Sequence, residues 1–254
     1  MSLVLRHRAA VMATLAAVAA GEPVAGVAPA MAEDGEGAND YQALLVVLHE
    51  HLRQLSEIQS VEARNPVKAQ MAATFDPWVN GALEAGRAGN AVQDEIVVTM
   101  MIWAIDYRAI DRALDIAEHV LAHGLTLPER YKRSAGCLIA ENIATAELDE
   151  PGSVTLAQLQ RTGVLTVGSD MPDQARAKLC KAMGRSLAKA SADFDPLADD
   201  AIAGGKPALI SMAIDQFQAA LRLDRNVGVK KDLEVAQRQL NALTPPPPGE
   251  GGGG

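Results

Sequence analysis

The sequence predicts an all-α protein, and three observations carry that prediction. Apolar residues make up 48% of the chain but aromatic ones only 3%, so the core has to be built on Ala, Leu and Met. No stretch alternates Val, Ile and Thr with polar residues in the manner of a half-buried strand. The segment from Asp76 to Arg133 repeats its apolar residues at helical spacing and closes on helix-ending signals. The expected architecture is a set of helical hairpins around a buried central helix, with a tetratricopeptide-like hairpin near the C-terminus and disordered termini. With 254 residues the chain is long enough for one or two domains with a real core. The expected partition is a basic-headed helix and linker over 1–39, a helical core domain over 40–203, a hairpin over 204–243 and a tail over 244–254.

In chain order, Arg6, His7 and Arg8 precede an Ala-rich apolar run, Ala9 to Ala20, and Ala30-Met31-Ala32 has the form of a cleavage site. Two readings stand side by side: a secretory signal peptide, and a mobile basic-headed helix over Leu3–Ala20 followed by a linker over 21–39. Gly21-Glu22-Pro23 interrupts the segment well before that site, which favours the second. Leu44, Leu45, Leu48, Leu52 and Leu55 make an amphipathic helix over about 41–58, with Asn65-Pro66 as its break and Pro77 opening the next helix. His49 and His51 stand two apart and point to different faces, a poor spacing for a shared metal. Ile96 to Ile105 is apolar except for one Thr, too short to span a bilayer and suited to a buried helix. After it, Ile110, Ala113, Leu114, Ala117 and Leu121 form one face, and Asp111, Arg112, Asp115 and Glu118 the other. Gly124 sits at the expected C-cap with Pro128 just beyond.

Cys137 to Leu148 reads as a helix ended by Asp149-Glu150-Pro151-Gly152. Residues 153–168 are ambiguous, since Val164–Val167 also suits a short extended piece. Asp170 is the expected N-cap of the following helix, with Pro172 in its first turn. That helix is the most basic in the chain: Lys178, Lys181, Arg185 and Lys189 share about a third of its circumference, beside Leu179, Met183 and Leu187. Gly204 to Pro207 sets off a second hairpin, Ala208–Leu223 and Val229–Leu240, and Pro245–Gly254 has the composition of a disordered tail.

Several of these stretches are familiar. PWVNGALEAG, QDEIVVTMMIWAID and RALDIAEHVLAHGLTLPERYKR resemble the small terminase subunits of P2-like tailed phages. Weaker echoes follow in DMPDQARAKLCKAMG and GVKKDLEVAQRQL, so the resemblance covers roughly residues 70–240 in order. It implies an oligomeric protein that binds concatemeric double-stranded phage DNA at its packaging site, in the bacterial host cytoplasm, beside a large subunit that carries the ATPase. The family also bears the label of endonuclease subunit. The longer Lys/Arg-rich tail that P2-like relatives carry is missing from this chain.

The charge balance opposes indiscriminate DNA binding. A net charge of −9 and a pI near 5.1 repel phosphate unless positive residues gather locally. They do so at Arg130, Lys132 and Arg133, the basic loop of the resemblance, then at Lys178, Lys181 and Arg185, and at Arg6 and Arg8. Such contacts position a protein on DNA without reading its sequence. For metal-assisted cutting with magnesium, the dense carboxylates are Asp111, Asp115 and Glu118, which share a face, although a charged face is commonly just solvated. No Gly-rich loop ends in Lys-Ser/Thr, so no cofactor is expected in this subunit and ATP enters only through a partner. Cys137 and Cys180 form no close motif, which suits a reducing compartment and no metal site. An exported helical adaptor remains the alternative if residues 1–32 are cleaved.

Overall fold

The computed structural model describes residues 36–197 and 204–243. Over these the chain forms ten α-helices and one 3-10 turn, with no strand among the described residues. It divides into two compact units, Met1–Ala135 and Gly136–Gly254. The boundary falls inside the stretch that the sequence suggested as one core domain. The basic-headed segment with Arg6 and Arg8, the cleavage-like site at 30–32 and the tail beyond residue 243 lie outside the described residues.

The first unit contains α1 (Glu36–Glu57), α2 (Val61–Ala72), a 3-10 turn (Ala73–Phe75), α3 (Asp76–Arg87), α4 (Glu95–Asp106) and α5 (Ile110–Ala122). Its centre is α4, in which every residue from Ile96 to Ile105 is buried. Asp94 caps it: one carboxylate oxygen accepts the N–H groups of Ile96 and Val97 at 2.8 and 3.0 Å, and the other accepts Trp78 Nε1–H at 2.7 Å. That cap is 3% exposed, and burial pushes its pKa above the usual carboxylate value. Tyr41 stacks on Trp78 at 5.5 Å, and its hydroxyl accepts the Glu95 N–H at 3.1 Å. Helices α1, α3 and α4 therefore meet at one polar joint. Antiparallel to α4, α5 buries Ile110, Ala113, Leu114, Ile116, Ala117 and Val120 and leaves Asp111, Asp115 and Glu118 exposed. This is the hairpin that the sequence predicts.

The second unit holds α6 (Ala135–Asp149), α7 (Leu156–Thr166), α8 (Asp173–Ala192), α9 (Gly205–Leu223) and α10 (Lys230–Leu243). A buried carboxylate closes its first turn, Glu147 accepting the N–H groups of Gly152 and Val154 at 2.9 and 3.0 Å. Leu187 of α8 joins Leu209, Ile210, Ala213, Ile214 and Phe217 of α9 and Val229 and Ala236 in one apolar cluster. The C-terminal hairpin thus shares its core with α8. No helix of the described residues is long and apolar enough to cross a membrane.

Three local expectations need correction, and one ambiguous stretch is resolved. The helix read from Tyr41 begins at Glu36, because extending a formed helix adds a hydrogen bond for each residue fixed. Asn65-Pro66 breaks nothing: α1 ends at Glu57, Ser60 caps α2, and Pro66 lies inside α2. Pro66 and Glu62 are both exposed, so water can take the carbonyl that the proline ring leaves without a donor. Val164–Val167 is helical up to Thr166. A reciprocal cap between Thr155 and Gln158 starts α7, and Leu159, Thr162 and Thr166 face inward while Val164 is 73% exposed. Finally, α8 begins at Asp173 with Pro172 as its cap residue, not Asp170, and the Pro172 carbonyl takes the Ala175 and Arg176 N–H groups.

Candidate nucleic-acid interface

The loop after α5 is built before its charges are placed. Gly124 turns the chain with φ +65, and Leu125 donates its N–H to Val120 O at 2.9 Å while its side chain is buried. Gln93 then clamps the backbone of Thr126 at two points, donating to its carbonyl at 3.0 Å and accepting its N–H at 2.8 Å. A turn follows in which Tyr131 N–H bonds to Pro128 O at 2.9 Å. This anchored frame carries Arg130, Lys132 and Arg133, all exposed. The Arg130 guanidinium lies 5.1 Å from the Tyr131 ring centroid and 3.6 Å from a Glu95 carboxylate oxygen. A surface pair that long contributes little, so the arginine can exchange it for another anion.

The basic face of α8 is arranged differently. Lys178 donates to Glu141 at 3.1 Å and to Thr145 at 3.3 Å, on α6. Lys181 donates to Val227 O at 2.8 Å, in the turn before α10. Arg185 meets Asp232 of α10 at 3.0 Å. Burial, then Arg185, lowers the Lys181 pKa. Three cations that look like a phosphate track in sequence are here the ties that hold α6 and the C-terminal hairpin to α8.

The carboxylates Asp111, Asp115 and Glu118 stand along the exposed side of α5. Asp115 and Glu118 border a cleft of about 330 Å³ that is also lined by Leu83, Arg87, His119, Ala122 and His123. The two histidines escaped the sequence reading, although their four-residue spacing puts them on one helical face. Their ring centroids are 4.7 Å apart. Burial lowers the His119 pKa, helped by His123 and Arg87. Among the described residues, no group of three or more His, Cys, Asp or Glu is arranged to hold a metal ion.

Comparison with known proteins bears on what this arrangement serves. Residues 45–174 match the family model of the phage small terminase subunit. The chain is 35% identical over 211 residues to the "Terminase, endonuclease subunit" of Escherichia phage P2, a match covering 82% of this chain and 77% of that one. No solved structure matches it.

Proposed function

The chain belongs to the family of phage small terminase subunits, and from that premise we propose that it is the DNA-recognising adaptor of a phage packaging machine. Its role lies in phage DNA packaging. In this reading it binds the cohesive-end site of concatemeric double-stranded DNA as a homo-oligomer in the host cytoplasm. It presents that site to an ATP-hydrolysing large subunit and holds no cofactor itself. The observation that carries the reading is that the family match includes the anchored loop of Arg130, Lys132 and Arg133. A rigid backbone frame with exposed cations suits phosphate binding, because little side-chain and loop ordering remains to oppose association. Lys178, Lys181 and Arg185 add contacts only through donors not used within their own unit, and Arg6 and Arg8 are further candidates.

A second reading is favoured by the printed name of the P2 relative: that this chain itself cuts DNA, with magnesium held by Asp111, Asp115 and Glu118. One experiment separates the two. Purified Asp111→Asn/Asp115→Asn protein is combined with large subunit, ATP, magnesium and phage DNA, and the formation of genome ends is scored beside a gel-shift. The adaptor reading expects normal binding and normal ends. Normal binding without ends overturns it.

A further inference from the structure

Three helices of the first unit end in the same way. At the end of α3, Gly89 N–H bonds to Gly86 O and Asn90 N–H to Ala85 O. At the end of α4, Arg108 N–H bonds to Ile105 O and Ala109 N–H to Ala104 O. At the end of α5, Gly124 N–H bonds to Leu121 O and Leu125 N–H to Val120 O. This pattern needs one left-handed residue, for which glycine is suited because it has no Cβ. Gly89 and Gly124 fill that place with φ +85 and +65. Arg108 fills it with φ +68, and is the one non-glycine residue with positive φ among the described residues.

What Arg108 gives the fold in return is small. Its NH1 donates to Ile105 O at 3.1 Å, yet that carbonyl already receives the backbone N–H groups of Tyr107 and Arg108. No otherwise orphaned group is satisfied. The rest of the guanidinium meets no acceptor among the described residues, and the side chain is exposed. The other arginine beside it, Arg112, is turned toward Asp76 at 3.4 Å, and Lys68 is held by Asp106. Unlike these two, Arg108 keeps every guanidinium donor but the one on Ile105 O open among the described residues. Strained backbone positions of this kind cluster at functional sites, where the side chain serves something other than stability.

We propose that Arg108 is a backbone-phosphate contact for the DNA that this subunit handles. The inference rests on the adaptor reading above. A guanidinium forked against phosphate oxygens makes two charge-assisted hydrogen bonds, and its one bond to Ile105 O fixes its direction beforehand. An acidic surface of the large subunit would use the same donors; the test gives that source its own outcome.

The test uses the full chain with a fluorescent duplex spanning the phage cohesive-end site, titrated across a salt series, beside co-purification with the large subunit and thermal melting of each variant. Arg108→Gly should melt at or above the wild-type temperature, since the backbone strain is gone, while Arg108→Ala should melt below Arg108→Gly. Arg108→Gly should bind the duplex about tenfold more weakly, with the slope of log K against log salt reduced by about 0.9. Arg108→Lys should keep the slope and lose part of the affinity. Wild-type duplex binding by Arg108→Gly overturns the proposal, and loss of large-subunit binding alone assigns the residue to that partner instead. Melting of Arg108→Gly well below wild type also overturns it, because the residue is then a structural cap. Failure of the unaltered chain to bind any duplex would count against the adaptor reading itself and take this inference with it.

Discussion

The two units use the same joint with different chemistry. In each, a helical glycine lets an aromatic ring lie directly on the helix backbone. A Cβ built at Gly86 would stand 2.3 Å from His119 Cε1, and one built at Gly184 would stand 2.5 Å from Phe217 Cε1. The two rings follow their glycines at the same distance in sequence. Phe217 is 1% exposed and sealed in the apolar cluster of the second unit. His119 is 8% exposed, borders the open cleft and has a second imidazole against it. One steric solution therefore gives an inert joint in one unit and a titratable one in the other. The chain carries a probe for each. Trp78 and Trp103, its two tryptophans, lie in the first unit, and Cys137 and Cys180, its two cysteines, lie in the second.

The largest effect should come from emptying the inert joint. Phe217→Ala leaves a cavity that α8 and α9 cannot close, at a cost of about 3–5 kcal/mol. The urea midpoint followed by thiol labelling of Cys137 and Cys180 should fall accordingly, and an unchanged midpoint would remove Phe217 from the core. Next come the two overpacked variants. Gly184→Ala drives a methyl group into a ring with nowhere to go and should cost about 1–3 kcal/mol. Gly86→Ala should cost less, because His119 can swing toward the cleft. Alanine's helix propensity favours both variants alike and cancels from the comparison. A loss at Gly86 equal to that at Gly184 would break the distinction between a sealed joint and an open one.

Much of the fold was legible because it depends on periodicity. Ile96–Ile105 had no polar side to expose, and the stripe from Ile110 to Leu121 allowed only one inward face. Residues 156–166 were not legible by that route. Three inward positions, Leu159, Thr162 and Thr166, decide that helix while the β-branched Val164 points to water. The signal that could have found it was the Thr155-x-x-Gln158 cap. The joints at Gly86 and Gly184 were illegible for another reason. A glycine's sequence context does not say which distant ring rests on it. The basic residues divide in the same way. The helical spacing of Lys178, Lys181 and Arg185 was correct, but spacing does not reveal Glu141, Val227 O and Asp232 as their partners.

The smallest effect is the most specific test of the comparison. Burial holds the folded-state pKa of His119 below the ordinary imidazole value, with His123 and Arg87 adding to the shift. The unfolded chain then takes up the proton first as pH falls through about 6.5. Stability of the first unit should decline below that point and be level above it, since stability rises with pH wherever the unfolded state binds more protons. Asp115 and Glu118 in the cleft attract an imidazolium and moderate the decline. Buried Asp94, which shares a small cavity with His119, has a raised pKa and acts in the opposite sense at lower pH, in the carboxylate range. His51, whose pKa burial also lowers, contributes in the same direction as His119. Among the described residues the histidines, at positions 49, 51, 119 and 123, belong to the first unit, and the sequence from 136 onward contains none. Urea midpoints from tryptophan fluorescence should therefore fall between neutral pH and about 5.5. Midpoints from thiol labelling, with the labelling pulse held at one pH, should not move. His119→Gln should flatten the tryptophan curve in part, leaving the slope that His51 supplies. If the thiol-reported midpoint follows the same slope as the tryptophans, the titratable joint is not confined to the first unit, and the contrast between the two glycine-ring contacts fails.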